Sequence, residues 1–213
     1  LSRMKIYFDG CSTIRCRYLG EDYLDKRWSK LLCDKLGAEE YNYAISGGSN
    51  HRTLRNISST YYNEKYDIAI IGLVFGSRTE YYNSDTKQFD KIKCSYVEQQ
   101  DINPWHKLVN LPKNELEDTK SLITGKNKRF WDMYYRNIYD EEYGRIFEEM
   151  SYNSIKSICK AKNMPLITVC CNPDTKLKYD IMLTSYETVS LTDNHPSEKS
   201  QELIANNIYN LLQ

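Results

Sequence analysis

Several things are missing from this 213-residue chain, and each absence removes a class of protein. Charge of one sign is missing: Lys and Arg total 29, as do Asp and Glu. Without a net charge there is no bulk attraction to a phosphate backbone, so no nucleic-acid partner is expected. No apolar run approaches the roughly 18 residues that a membrane-crossing helix needs, so no membrane span is expected. The seven cysteines include no C-x-x-C pair, which argues against a zinc knuckle. Their odd number and scattered spacing fit reduced thiols in a reducing compartment. The P-loop, G-x-G-x-x-G and H-E-x-x-H patterns are absent, and neither metal nor cofactor is expected. There is also no G-x-S-x-G elbow, which speaks against the α/β-hydrolase fold. Residues 1–5 lack the basic stretch and apolar core of a signal peptide, so a cytoplasmic or virion-associated location is expected.

What is present is alternation. Lys5-Ile6-Tyr7-Phe8 reads as a strand that stops at Asp9-Gly10. Trp28, Leu31, Leu32, Lys35 and Leu36 follow helical spacing, and Gly37 ends that helix. Tyr41 to Ile45 reads as a second strand, closed by Gly47-Gly48, and a helix is expected from about Arg52 to Tyr62. Asp67 to Phe75 is almost continuously apolar, as a central strand covered on both faces would be. From Ser77 to about Lys128 the chain is polar and weakly periodic. It reads as an irregular excursion, the kind of long loop that serves as a lid or binding loop, with Asn103-Pro104-Trp105-His106 inside it.

A long helix is expected from about Phe130 to Lys162, broken near Tyr139-Asp140. A buried strand follows from Pro165 to Cys171, and then a loop to Asp193. The last helix, about Ser197 to Leu212, places Leu203, Ile204, Ile208, Leu211 and Leu212 on one face. The sum is an α/β protein of three layers, α/β/α, with a central parallel sheet, in one domain over residues 1–213 with a lid-like insertion at 77–128. Right-handed crossovers would bring all strand C-terminal ends to one edge, where ligands bind in such sheets. Gly10-Cys11-Ser12, Gly47-Gly48, Gly76-Ser77-Arg78 and the Asp193–His195 segment should meet there.

These segments carry a specific chemistry. A serine becomes a nucleophile when a base takes its proton and a third group holds the base. Of His51, His106 and His195, only His195 has an acid two residues before it. In extended chain, residues i and i+2 face the same way, so Asp193 can hold Nδ1 while Nε2 faces a serine. Pro196 then opens the last helix where its missing N–H costs nothing. Read singly, Asp193-Asn194-His195-Pro196 is equally a polar helix cap, and Ser12 a turn serine. Cys11 is the rival nucleophile, but neighbouring turn residues seldom share a direction, which favours Ser12. Gly47 or Gly48 offers a backbone N–H to a developing oxyanion, or is simply a turn.

Taken together the segments resemble the SGNH (GDSL-like) hydrolases. Lys5 to Ser12 is similar to their first block, with Gly-Cys-Ser for Gly-Asp-Ser, a variant found among phage and bacterial members. Asn42-Tyr43-Ala44-Ile45-Ser46-Gly47 is similar to the second block, and Asp193-Asn194-His195-Pro196 to the last. The resemblance implies a serine esterase acting on an acyl ester or O-acetyl group of a small molecule or carbohydrate. It implies Ser12, His195 and Asp193 as catalytic residues, Ser12 and Gly47 as oxyanion hole, and Gly48, Asn50 and Arg78 as substrate contacts. The third block departs: Gly76-Ser77-Arg78-Thr79 stands where Gly-x-Asn-Asp is usual. Losing one oxyanion donor costs about 10²–10³ in rate. Arg78 is then a substitute donor, a grip for an acidic substrate group, or a surface ion pair with Glu80.

Two other readings follow from the same residues. One is a weakly active or non-catalytic binding protein of this fold, virion-associated, in which Arg52, Arg55 and Arg78 grip an anion. The other is a flavodoxin-like nucleotide-binding domain, with Gly10-Cys11-Ser12-Thr13 as its phosphate loop.

Overall fold

Strand 1 already divides the molecule in two: Ile6 and Phe8 point into one buried cluster and Tyr7 into another. A computed structural model describes residues 2–59, 64–74, 76, 78–84, 87–92, 139–170, 175–190 and 193–213. In chain order these form β1 (Lys5–Asp9), α1 (Ser12–Arg15), α2 (Trp28–Leu36), β2 (Glu39–Asn42), α3 (Asn50–Ser59), β3 (Ile68–Leu73), β4 (Thr79–Asn83) and β5 (Gln88–Ile92). They continue with α4 (Glu141–Ala161), β6 (Leu166–Cys170), β7 (Ile181–Met182), β8 (Thr188–Ser190), β9 (Asp193–Pro196) and α5 (Glu198–Leu211).

Five strands pair in the order β2-β1-β3-β6-β7, all parallel. The period of two seen in β1 recurs in β3, where Ile68 and Ile70 face one side and Ala69, Ile71 and Leu73 the other. On the Phe8 side, Trp28 and Leu32 of α2 and Ile204 and Ile208 of α5 close the core. On the Tyr7 side, Ile57 of α3 and Ile155 and Cys159 of α4 close it. This is the three-layer α/β/α architecture, and it explains why β3 is buried along its whole length. The strand order reverses between β1 and β3, and open α/β sheets as a class bind their ligands beyond the strand C-terminal ends at such a point.

Several elements fall where the sequence places them. Gly37 ends α2 at φ 62°, its N–H bonded to the Asp34 and Cys33 carbonyls. The expected helix break at Tyr139-Asp140 is the start of α4, where the Asp140 carboxylate accepts from the Tyr143 N–H at 2.7 Å. Residues 130–138 of that expected helix lie outside the described residues. No helix among the described residues is long and apolar enough to cross a membrane.

Others differ. β2 runs over Glu39–Asn42 instead of 41–45, because it pairs residue for residue with Lys5–Phe8. Tyr43 to Ile45 leave the sheet and turn towards Gly10, whose carbonyl accepts from Ile45 N at 3.3 Å. Glu40 can lie in a half-buried strand because Arg27, Ser29 and Asn42 all donate to its carboxylate, and these bonds hold its pKa below the usual carboxylate value despite burial. The stretch expected to be irregular from Ser77 opens with an antiparallel hairpin, β4–β5. Its residues are mostly polar and those of β4 are largely half-buried, so no apolar alternation announces it. Residues 93–138, with Trp105 and His106, lie outside the described residues. The loop expected up to Asp193 holds β7 and the β8–β9 hairpin.

Candidate active site

The turn after β1 is built around a buried carboxylate. Asp9 is fully buried and accepts four hydrogen bonds: from Gly10 N (2.7 Å), Arg52 Nη1 (2.7 Å), Asn56 Nδ2 (2.9 Å) and Tyr7 Oη (3.0 Å). Burial pushes this carboxyl up, and Arg52, Asn56 and the Gly10 N–H pull against that rise. Gly10 has φ 144°, and a Cβ there would stand 2.6 Å from the Gly72 carbonyl, so glycine lets β1 turn into α1 against β3.

Cys11 and Ser12 then part company. Cys11 is buried, its Sγ 3.2 Å from Thr13 Oγ1. Ser12, the first residue of α1, is half-buried, and its Oγ lies 2.7 Å from His195 Nε2. The two residues are 183 positions apart in sequence. Trp28 Nε1 donates to the Thr13 carbonyl at 3.1 Å and so ties α1 to α2.

His195 arrives on β9 from the other end of the chain. Its neighbour Pro196 presents a carbonyl that accepts from Tyr18 Oη at 3.0 Å and from Gln201 Nε2 at 3.2 Å. The Tyr18 ring lies against the imidazole, centroids 4.2 Å apart and planes 35° apart. Asp193 lies on β9 two residues before His195, opposite Ser190; its carboxylate lies outside the described side chains.

Sequence reasoning missed Tyr18 and Gln201. Gln201 carried a signal: it occupies the same α5 face as Ile204, Ala205 and Ile208, and a polar side chain at such a core position must have buried partners. Tyr18 carried none.

Gly47 sits at φ 69° in the Ile45–Gly48 turn, as the third residue of such a turn requires. The N–H groups of Ser12 and Gly47 make no hydrogen bonds among the described residues. Gly48, an expected substrate contact, is buried, as Gly47 is; its N–H donates to the Ile45 carbonyl at 3.1 Å, and a Cβ there would collide with the Gly10 carbonyl.

Asn50, a second expected contact, is engaged by backbone. It is 3% exposed, donates to the Val74 carbonyl at 2.8 Å and accepts from Val74 N at 2.8 Å. Its amide is spent on the backbone that leaves β3, and so it braces the chain that borders the site.

The arginines are similarly occupied. Arg52 is held by Asp9 and by the Tyr43 carbonyl at 2.6 Å. Arg55 forms a two-pronged pair with Glu80 at 2.8 and 2.9 Å. An anion grip built on Arg52 and Arg55 is therefore not what these side chains form. Arg78 is half-exposed just before β4, and Glu80, its expected partner, pairs with Arg55. His51 turns away to Thr79 Oγ1 at 3.0 Å and Phe147. Burial lowers its pKa. Among the described residues no three His, Cys, Asp or Glu side chains group in a way that holds a metal ion.

With Nδ1 carrying the imidazole proton, the Ser12 hydroxyl donates to Nε2, and proton transfer along that bond leaves a serine alkoxide. No family model matches the sequence, and no curated protein matches it. Solved structures similar to the chain include a psychrotrophic esterase, EstA, from Pseudoalteromonas sp. (16% identity, 98% of this chain and 96% of that one, TM-score 0.44). Two more are a member of the lipolytic G-D-S-L family from Veillonella parvula (14%, 98% and 97%, TM-score 0.39) and a lipase/acylhydrolase from Enterococcus faecalis (13%, 100% and 95%, TM-score 0.37). Identities and TM-scores this low say nothing of chemistry, which rests on the residues above.

Proposed function

We propose that the chain is a serine ester hydrolase of the SGNH type. The observation that carries this reading is the 2.7 Å approach of Ser12 Oγ to His195 Nε2 at the C-terminal edge of the sheet. Ser12 attacks the acyl carbonyl while His195 takes its proton; His195 then protonates the leaving alcohol. An acyl-Ser12 intermediate remains, and a water deprotonated by His195 hydrolyses it to the acid. Asp193 has the role of orienting the imidazole, since residues i and i+2 of a strand face the same side. The N–H groups of Ser12 and Gly47 receive the oxyanion. Two donors without the third-block asparagine favour slow turnover, by about 10²–10³ against a complete hole. Carboxylic esters are the substrate class, with O-acetylated sugars and small acyl esters to be tried first.

A fluorophosphonate probe should label the wild type and fail to label Ser12→Ala. Hydrolysis of p-nitrophenyl acetate should be lost in both Ser12→Ala and His195→Ala. Labelling that persists in Ser12→Ala, or the absence of turnover with acyl chains of any length, defeats the reading and leaves a binding protein of this fold.

A further inference from the structure

Ser12 and Tyr18 belong to one short piece of chain, and together they hold His195 from two sides. Ser12 meets the imidazole edge at Nε2, while Tyr18 covers a face at 4.2 Å between centroids. The piece bends between them at Cys16, which adopts φ 57° and ends α1. A left-handed conformation at a residue other than glycine costs energy, so surrounding contacts must hold it. Here the Cys16 N–H bonds the Ser12 carbonyl at 2.7 Å, and its Sγ donates to the Thr13 carbonyl at 3.2 Å. The bend leads into the 3-10 turn Arg17–Leu19, which carries Tyr18.

Tyr18 is itself anchored. Its hydroxyl donates to the carbonyl of Pro196, the residue after His195, and Gln201 Nε2 shares that acceptor. Ring and strand are therefore fixed to each other at two points, a face and a backbone oxygen. Rotation of the imidazole about its Cβ–Cγ bond would drive its edge into the tyrosine ring.

We infer that Tyr18 is a positioning residue for His195, locking the imidazole in the rotamer that faces Ser12. The inference rests on the serine-hydrolase reading for its kinetic consequence, but its physical content, the fixed imidazole, stands apart from turnover. Small displacements of a reacting group cost much: about 1 Å is worth about 100-fold in rate. The face contact adds a second effect, because the ring's negative face attracts the imidazolium that forms when His195 takes the serine proton.

The test compares Tyr18→Phe, which keeps the ring and loses the anchor, with Tyr18→Leu, which loses both. Tyr18→Met answers the same question should the leucine variant fail to fold. With p-nitrophenyl acetate, Tyr18→Leu is expected to lose about 10- to 100-fold in kcat. KM should stay within about twofold, because the interaction lost is one that matters in the transition state. Tyr18→Phe should recover most of the loss, at an unfolding temperature showing all variants folded during the assay. Equal kcat in wild type and Tyr18→Leu overturns the proposal.

If wild type shows no turnover that depends on Ser12, the hydrolase reading fails and the imidazole is followed directly. Its carbon-bound ring protons, assigned by their disappearance in His195→Ala, should be shifted upfield by the Tyr18 ring current in wild type and Tyr18→Phe. They should move to ordinary histidine positions in Tyr18→Leu. Resonances that do not move on loss of the ring overturn the inference.

Discussion

Arg52 meets Asp9 at 2.7 Å beneath the turn that delivers Ser12, and the carboxylate of that pair is fully buried. Removing one partner of such a pair leaves an uncompensated buried charge. Arg52→Leu should therefore destabilise the fold by about 3–5 kcal/mol, measured by urea unfolding at neutral pH. The pH dependence has a definite sign. The Asp9 carboxyl is already raised in the folded state by burial, with Arg52 opposing the rise. Without Arg52 the folded-state value climbs further above the unfolded one, so the folded protein holds the proton more tightly than the unfolded chain. The deficit of Arg52→Leu should shrink as pH falls towards the carboxylate range and grow as pH rises from there. A deficit that does not change with pH would show that Asp9 is not the group left behind.

Asn50 makes a contrasting case. It donates to and accepts from the backbone of Val74. Asn50→Ala would orphan one buried N–H and one buried carbonyl, each costing about 1–3 kcal/mol. The fold should lose stability in proportion, measured by thermal melting. Asn50→Asp should be worse than its near-identical shape suggests, because a carboxylate has nothing to donate to the Val74 carbonyl. If Asn50→Ala leaves the melting temperature unchanged and raises only KM, the amide contacts substrate after all.

The meeting of Ser12 with His195 was legible in the sequence because the order of strands places their segments at one sheet edge, whatever the details between. Positions fixed by backbone partners were not. Asn50 stood beside the right glycines but gave no sign that Val74, just past the end of β3, would claim its amide. β2 starts two residues before the expected strand: Tyr41 to Ile45 is the more apolar stretch, while Glu40 is admitted to the sheet by donors from another segment, Arg27 and Ser29. β7 is two residues long, and its neighbour Asp180 bonds Thr168 N and Oγ1 through its side chain, a contact without a periodic signature. What escaped the sequence in each case is a polar bond between segments far apart in the chain.

The cysteines offer a test of how the turn after β1 is packed. Burial pushes the thiols of Cys16 and Cys33 up to about 12 and that of Cys159 up to about 11. Since the thiolate is the reactive form, these three should resist iodoacetamide at pH 8 in the native protein and react once it is unfolded. Cys11 is buried against Thr13, so Cys11→Ala should keep fluorophosphonate labelling at Ser12. Peptide mapping by mass spectrometry reads both results. Loss of labelling in a folded Cys11→Ala would return Cys11 to the role of nucleophile.

Gln201 ties the two halves of the site to each other. Its Oε1 accepts from Trp28 N at 3.1 Å, while the Trp28 indole holds the Thr13 carbonyl next to Ser12. Its Nε2 donates to the carbonyls of Pro196 and Ser197 at 3.2 Å, next to His195. The side chain is 2% exposed, so water cannot replace these bonds. Gln201→Met, close in shape and size, leaves the Trp28 N–H without its acceptor, a loss of about 1–3 kcal/mol in urea unfolding. The Pro196 carbonyl still has Tyr18, so the imidazole strand should stay in place and kcat should fall less than in Tyr18→Leu. Gln201→Glu removes the donor and places a carboxylate against two carbonyl oxygens. That variant should be less stable than Gln201→Met at neutral pH and should recover as pH falls and the carboxyl takes up a proton able to donate in place of the amide. If the glutamate variant were as stable as the methionine one across that range, the amide would not be donating to the Pro196 and Ser197 carbonyls.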